Sequence, residues 1–230
     1  HYGEMHTGKK GTATYDVPAN TARLYLCVLA APDKYNRNAW DDDETNDEQW
    51  PYRVKFSGTD LLGNVTIPEG DPTDLATSLE VSLDASSESY PLHTFNLLNE
   101  GVMQKIAKAF KLQPSEIASA TLDAGTVKAD GFSGPAEGKV AVGLTNPDGK
   151  VSYAYSANGI GFWIAADGTA SSWGDAPIYY EYDASGYGLT VGHNPGHSEK
   201  GKTYTIKPTM VYNKGGKLHK AVITIKMKFA

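Results

Sequence analysis

The sequence contains very little cysteine, which limits how the fold can be stabilised. Among its 230 residues there is one cysteine, Cys27, so no disulfide can form within the chain. Cys27 lies in the apolar run from Leu24 to Ala30, where we expect it to pack as a small core residue. The alternative is a reactive thiol, but its sequence neighbours provide no activating charge. Stability must therefore come from an apolar core.

Long apolar runs and an excess of positive charge are also missing. No apolar run approaches the roughly 20 residues that a membrane-spanning helix needs, so we expect no membrane insertion. The net charge is −6, which argues against a nucleic-acid partner because such proteins need a basic face. The sequence begins at His1 without a charged-then-apolar leader, and we expect a mature product or a segment of a longer precursor.

Motifs of the common enzyme classes are absent as well. The chain has no nucleophile elbow, phosphate loop or dinucleotide fingerprint. His193 and His197 are four residues apart, but Pro195 and Gly196 exclude a helix between them, which leaves a loop metal dyad or a turn with two exposed histidines. Acidic residues are plentiful, yet no pair is marked as the acid and base of a glycosidase. We predict a protein that is not an enzyme.

The residues that are present favour a mostly β fold. Apolar residues make up 40% of the chain, and 14 tyrosines and 24 glycines accompany many short alternating segments separated by turns. The segment Ala221–Phe229 alternates, which predicts a strand with one core face and one lysine-bearing wet face. The only convincing helix covers residues 100–111, with Asn99 as its expected cap, and Pro114 opens a second short helix.

These patterns predict two β-sandwich-like modules, the second with a short helical hairpin. Residues 1–67 form a partial β-sandwich, because their few strands cannot complete one alone. Residues 68–78, which contain two prolines and several turn formers, form a linker. Residues 79–230 form the second module, which begins with a strand at Leu79.

The first module contains an acidic loop at residues 36–50. One interpretation is a solvated loop, and the other is a calcium site, since six to eight hard oxygens suit that cation. The spacing is not that of an EF-hand, and calcium is the only cofactor that we predict. The candidate metal ligands are the acidic residues of the loop: Asp41, Asp42, Asp43, Asp47 and Glu48.

The second module concentrates aromatic residues between Asn158 and Trp173. Asp167-Gly168 predicts a type I′ hairpin turn after the aromatic strand that contains Trp163. The tryptophans fill a sandwich core, or at least one of them stacks on a ligand. We favour Trp173 as a ligand contact because Ser171, Ser172, Gly174 and Asp175 around it indicate a loop. The candidate ligand-binding residues are Trp173, Trp163, Tyr179, Tyr180, Tyr182, Tyr187 and Asp175.

Four segments together carry a resemblance to a known family. They are Leu112–Ile117, Asn158–Asp175, Val191–Tyr212 and Val222–Ile225. Through them, residues 79–230 resemble an uncharacterised domain near the C-termini of secreted proteins from polysaccharide-foraging gut bacteria. The resemblance implies a secreted β-rich accessory module, often attached to carbohydrate-active enzymes, and no known activity.

A second resemblance depends on the segments Gly11–Pro18 and Trp40–Asn64. Through them, residues 1–63 are similar to a segment that precedes this module in large surface proteins. In those proteins a metallopeptidase-like domain lies further towards the N-terminus, whereas this chain has no His-Glu-x-x-His motif. The similarity implies that residues 1–63 are the back half of a sandwich. An N-terminal domain of the same precursor is therefore an expected partner.

Together these observations predict a non-catalytic, extracytoplasmic accessory module that is secreted or attached to the cell surface. We expect it to bind a polysaccharide or glycan, or to hold an attached enzyme near its substrate. Flat aromatic faces and a few polar groups would form the binding site. The alternatives are a purely structural spacer with buried tryptophans, a protein-interaction domain and a glycoside hydrolase.

Overall fold

The computed structural model describes residues 64–127, 131–153 and 160–230. Within these residues the chain forms eleven strands, two α-helices and a short 3-10 helix. In chain order they are β1 (Leu75–Leu83), β2 (Pro91–Asn96), α1 (Val102–Phe110), α2 (Pro114–Ala120), the 3-10 helix (Ala124–Thr126), β3 (Val140–Thr145), β4 (Val151–Tyr153), β5 (Ile160–Ile164), β6 (Ala170–Ser171), β7 (Ile178–Asp183), β8 (Gly188–His193), β9 (Thr203–Ile206), β10 (Pro208–Lys214) and β11 (Lys217–Phe229).

The strands form two sheets whose facing sides enclose one apolar core. The first sheet has the order β1-β11-β10-β3-β4, with β9 also paired to β11, and the second has the order β2-β8-β7-β5-β6. Strand β1 runs parallel to β11, from Leu75 opposite Ala221 to Leu83 opposite Phe229. The other pairs of strands within the sheets are antiparallel. The predicted fold class, mostly β with a sandwich-like module, is confirmed.

Strand β11 shows why the sequence folds in this way. Ala221, Ile223 and Ile225 are buried, and Met227 and Phe229 continue the same face into the core. Burial of one such large side chain contributes about 1.5–3 kcal/mol, so a register slip of one residue would lose several of these contributions. The residues between them, which include Lys226 and Lys228, lie on the opposite, outward face, as the alternation predicts.

The predicted helical hairpin is present and covers part of the core. Helix α1 buries an apolar face, and the Phe110 ring contacts the Tyr212 ring of β10 at 5.5 Å between centroids. The expected Asn99 cap is wrong: Gly101 occupies the N-cap position in the left-handed region, without a side-chain cap. The side-chain oxygen of Asn96 instead accepts the backbone N–H of Asn99. No helix within the described residues is long and apolar enough to cross a membrane.

The start of the second module differs from the predicted boundary. Strand β1 begins at Leu75, so the predicted linker at residues 68–78 includes the first four residues of a paired strand. Upstream of it, the backbone of Val65 is hydrogen bonded in both directions to the Gln113 side chain at the start of α2. The contribution of residues 64–67 to this module escaped sequence analysis because their partners lie about fifty residues away. The predicted acidic loop at residues 36–50 lies outside the described residues.

Candidate ligand-binding site

The tyrosines of β7 divide between the two faces of the second sheet. Ile178, Tyr180 and Tyr182 point into the core. Tyr180 is 0% exposed, and its hydroxyl donates a hydrogen bond of 2.7 Å to the carbonyl of Gly143 in the opposite sheet. Burial raises the pKa values of both Tyr180 and Tyr182. The proposal that the Tyr180 ring stacks on a surface ligand is therefore wrong, because that ring belongs to the core.

Tyr179 lies on the outer face and forms an aromatic cluster with two other residues. Its ring centroid is 4.7 Å from that of Trp163, which is paired with it in register on β5. The Trp163 ring is in turn 6.2 Å from the Tyr90 ring, at an angle of 87°. We call Tyr90, Trp163 and Tyr179 the outer-face cluster. Tyr179 lies beneath its neighbours at 7% exposure, whereas Tyr90 is 41% exposed.

A glycine on β8 leaves space for the Tyr179 ring of this cluster. Gly192 of β8 is paired with Tyr179, and a Cβ atom at Gly192 would lie 2.4 Å from Cε1 of the Tyr179 ring. The same Cβ would lie 2.2 Å from the carbonyl oxygen of Tyr90, which itself accepts the backbone N–H of His193. Only glycine allows the ring and the neighbouring backbone to approach so closely.

A row of polar side chains lies beside the cluster on the same face. Glu181 lies two residues after Tyr179 on β7, its register partner Thr190 lies on β8, and Thr94 on β2 is aligned with Thr190. The hydroxyls of Thr94 and Thr190 are 2.8 Å apart, and the Glu181 side chain extends over Gly161 of β5. Because a strand rises about 3.3 Å per residue, the polar and aromatic rows are about 7 Å apart.

The phenol of Tyr179 reports the electrostatics of this face. Burial beneath its neighbours, together with the charge of Glu181, raises the pKa of Tyr179 to about 12. The phenol therefore stays protonated at neutral pH and keeps a hydroxyl that can donate a hydrogen bond. The Glu181 carboxylate, which is exposed, acts as an acceptor on the same face.

Trp173 and Asp175 lie on the loop between β6 and β7. Trp173 is 58% exposed, in agreement with the loop position that its polar neighbours predict. The Ser172 hydroxyl donates to the Asp175 carboxylate at 3.1 Å, and the Asn194 amide donates to the Trp173 carbonyl at 3.0 Å. Asn194 directly follows β8, so this loop lies at the same end of the sheet as Tyr90.

The remaining two candidate tyrosines lie elsewhere, at a cavity between α2 and the β7–β8 turn. Tyr182 and Tyr187 line this cavity of about 810 Å³ together with Asp123 and Asp183. Tyr182 is 4% exposed, and its hydroxyl has no hydrogen-bond partner among the described residues. Tyr187 adopts a positive φ of 54°, and burial raises the pKa of its phenol. These two residues therefore do not join the outer-face cluster.

The two histidines considered as a metal dyad have different environments. His193 is buried, its Nδ1 lies 2.6 Å from the Ser198 hydroxyl, and its ring stacks on that of Phe229. His197 is exposed but His193 is not, so the interpretation as a turn with two exposed histidines is wrong for His193. Within the described residues no group of three acidic, histidine or cysteine side chains could hold a metal ion. The metal candidates Asp41, Asp42, Asp43, Asp47 and Glu48 lie outside those residues.

Sequence analysis missed Tyr90, Thr94, Thr190 and Glu181. The alternation of the β7 sequence carried part of the signal, because it places Tyr179 and Glu181 on one face and Tyr180 and Tyr182 on the other. An aromatic residue directly after a serine-rich segment also marked Tyr90 as a surface residue. No sequence pattern indicated that Tyr90, directly before β2, would lie beside Trp163 of β5.

In comparisons with known proteins, both parts of the chain match models of uncharacterised families. Residues 1–63 match the Family of unknown function (DUF6055). No curated protein and no solved structure matches the chain. Residues 89–217 match the Domain of unknown function (DUF4859). Since this second match covers more than half of the 230 residues, the chain belongs to the DUF4859 family.

Proposed function

We propose that this chain is a non-catalytic, extracytoplasmic accessory module whose outer-face cluster binds a polysaccharide or other glycan. The observation that carries the proposal is the position of Tyr90, Trp163 and Tyr179 on the outer surface of a sheet, beside a row of hydroxyl and carboxylate groups. The families that match give no indication of function, and the chemistry of the site is therefore the support for the proposal.

The aromatic rings of the cluster match the apolar C–H faces of a sugar. The C–H faces of a sugar ring are apolar and pack on Trp or Tyr, whose rings combine a large apolar surface with a polar group. Tyr90 and Trp163 present such surface, and Tyr179 supports the Trp163 ring from below. Trp173, at the same end of the sheet, offers a further ring that can extend the contact.

The row of polar side chains matches the hydroxyl groups of a sugar. Thr94, Thr190 and Glu181 provide hydroxyl and carboxylate groups that exchange hydrogen bonds with sugar hydroxyls. Binding sites for small polar ligands generally combine apolar walls with a few such groups. Strands in a sheet are about 4.8 Å apart, so the distance from β2 to β5 is about 14 Å and provides space for more than one sugar ring. The glycan would lie across the strands.

The proposal is tested by a glycan array followed by titration calorimetry on the best ligand. Trp163→Ala and Tyr90→Ala should each weaken binding about tenfold, which corresponds to about 1.4 kcal/mol. Tyr153→Ala is the matched control, because Tyr153 is an aromatic residue of the other sheet, in contact with Phe132. Trp173→Ala shows whether the loop contributes. Binding that survives both cluster substitutions would refute the assignment of the site.

The structural spacer is the alternative that the same protein can test. It requires buried tryptophans, and the exposure of Trp173 departs from that requirement. Acrylamide quenching of tryptophan fluorescence measures this exposure in solution. A spacer predicts emission that acrylamide does not quench and an array without any bound glycan, whereas the binding module predicts an accessible Trp173 signal that a bound glycan alters.

A further inference from the structure

The two sheets differ in the sign of the charge that they present outwards. The five strands of the second sheet, all within the described residues, contain neither lysine nor arginine. In the first sheet, by contrast, β11 presents Lys220, Lys226 and Lys228 on its outer side. The face that carries the outer-face cluster is therefore acidic, and the opposite face of the sandwich is basic.

Glu181 places a negative charge directly beside the cluster. It is two residues from Tyr179 on the same face of β7, and its register partners are Thr190 and Gly161. Because Gly161 has no side chain and Thr190 is short, no large group separates the carboxylate from a ligand on this face. The charge of Glu181 also acts on the phenol of Tyr179, whose pKa it helps to raise, so the two groups share one local field.

The loops at the edge of the cluster add further acidic groups. Glu88 lies two residues before Tyr90, and Asp175 lies two residues after Trp173. Both carboxylates belong to the segments that carry the exposed rings. Each exposed ring therefore has a carboxylate two residues away in the sequence.

We propose that the outer-face cluster selects uncharged polysaccharides and rejects polyuronates, with Glu181 as the residue that discriminates between them. This inference rests on the proposed carbohydrate-binding function of the same site. A uronate ring offers the same C–H face as its uncharged counterpart, so the aromatic rings alone cannot distinguish the two. Like charges brought together across an interface are unfavourable, and specificity often arises from such repulsion.

Glu181 has a second role with an uncharged chain. Its carboxylate accepts hydrogen bonds from sugar hydroxyls without repulsion, and a bond to a charged acceptor is stronger than one between neutral groups. One residue thus favours the uncharged ligand and disfavours the charged one. The repulsion depends on ionic strength, because Glu181 is exposed and the screening length falls from about 10 Å at 0.1 M salt to about 3 Å at 1 M.

The test uses the full chain and pairs of polysaccharides that share a backbone, of which one member carries free carboxylates and the other does not. The probes are methyl-esterified and saponified homogalacturonan, β-1,4-mannan and β-1,4-mannuronan, and β-1,4-glucan and β-1,4-glucuronan. Affinities are measured at low and at high salt. We expect the uncharged member of at least one pair to bind at least tenfold more tightly than its charged partner at low salt, and the ratio to fall as salt is added.

Glu181→Gln should reduce the ratio of the affinities for the uncharged and charged polysaccharides at least threefold. The variant should bind the uncharged chain more weakly and the charged chain more tightly. Glu80→Gln is the matched control, because it removes the same charge from the outer face of the first sheet, where Glu80 pairs with Lys228. The control should leave the ratio unchanged. A polyuronate bound as tightly as its uncharged partner, or a ratio that Glu181→Gln does not alter, overturns the inference.

Failure of the underlying function has a different signature. If no member of any pair binds, or if binding is insensitive to Trp163→Ala, then the outer-face cluster is not a glycan site and both proposals are wrong. If Trp163→Ala abolishes binding of charged and uncharged chains alike, the site is a glycan site and only the selectivity is wrong.

Discussion

The hydrogen bond from Tyr180 to Gly143 joins the two sheets through the core, and its loss provides a sharp test of the packing. Tyr180→Phe removes one buried hydroxyl and leaves the ring in place. The Gly143 carbonyl then loses this donor inside the core. A hydrogen bond contributes about 0.5–1.5 kcal/mol, and a buried group left without a partner costs about 1–3 kcal/mol. We expect the free energy of unfolding at pH 7 to fall by about 1–2 kcal/mol.

The same substitution should have a smaller effect at alkaline pH. Burial raises the pKa of Tyr180 far above the value of about 10 that a phenol has in the unfolded chain. Stability from this group is complete below pH 10 and is lost as the pH rises towards the folded pKa, because the unfolded chain releases the proton first. At pH 11 the wild-type protein therefore loses about 1.4 kcal/mol at this residue. The Tyr180→Phe variant has no phenol at this position, so it loses no stability through ionisation of residue 180 at pH 11.

Urea denaturation at pH 7, 9 and 11 measures both quantities. The difference in the free energy of unfolding between the wild-type protein and Tyr180→Phe should shrink by about 1.4 kcal/mol between pH 7 and pH 11 and so approach zero. Titrations of the other tyrosines and lysines cancel because both proteins contain them. As a control, Tyr90→Phe alters an exposed residue and should change stability at pH 7 by no more than about 0.5 kcal/mol. A deficit that is equal at pH 7 and pH 11, or absent at both, would refute this account of Tyr180.

Two further predictions concern the close approach at Gly192 and the acidic loop. Gly192→Ala forces a Cβ into the Tyr179 ring and should cost about 1–3 kcal/mol, as overpacking generally does, while also weakening glycan binding; urea denaturation and calorimetry check both effects. Unchanged stability would mean that the Tyr179 ring does not rest on Gly192. If residues 36–50 bind calcium, calcium should raise the melting temperature relative to chelator, since a ligand of the folded state stabilises it. Asp42→Asn together with Asp43→Asn should remove that increase, and a fully stripped protein that shows none would exclude the site.

Strand alternation allowed much of the fold to be predicted from sequence. In β11, every second residue from Ala221 to Phe229 is apolar and buried, because successive side chains of a strand point to opposite faces. The helix at residues 100–111 followed from its apolar spacing, and the Pro114 start of α2 followed from the preference of proline for the first turn. These features depend on residues that are neighbours in the chain.

The candidate site was less accessible to sequence analysis. Trp163 and Tyr179 were identified as candidates, but so was Tyr180, which is in the core. The sequence Ile178-Tyr-Tyr-Glu-Tyr-Asp183 has tyrosine on both faces of its strand, so its tyrosines alone do not indicate the buried face. The carboxylates of Glu181 and Asp183, which share a face with Tyr179, do indicate that this face is the outer one.

By itself, then, the sequence determined the period of each strand, the helical hairpin and the scarcity of positive charge in the segments that became the second sheet. The tertiary structure decided that β1 pairs with a strand almost 150 residues away, that Trp163 lies beside Tyr90 and Tyr179, and that the Tyr179 ring and the Tyr90 carbonyl both approach Gly192. The physical reason is range: backbone geometry fixes local periodicity, whereas pairing between distant strands depends on how the whole core excludes water.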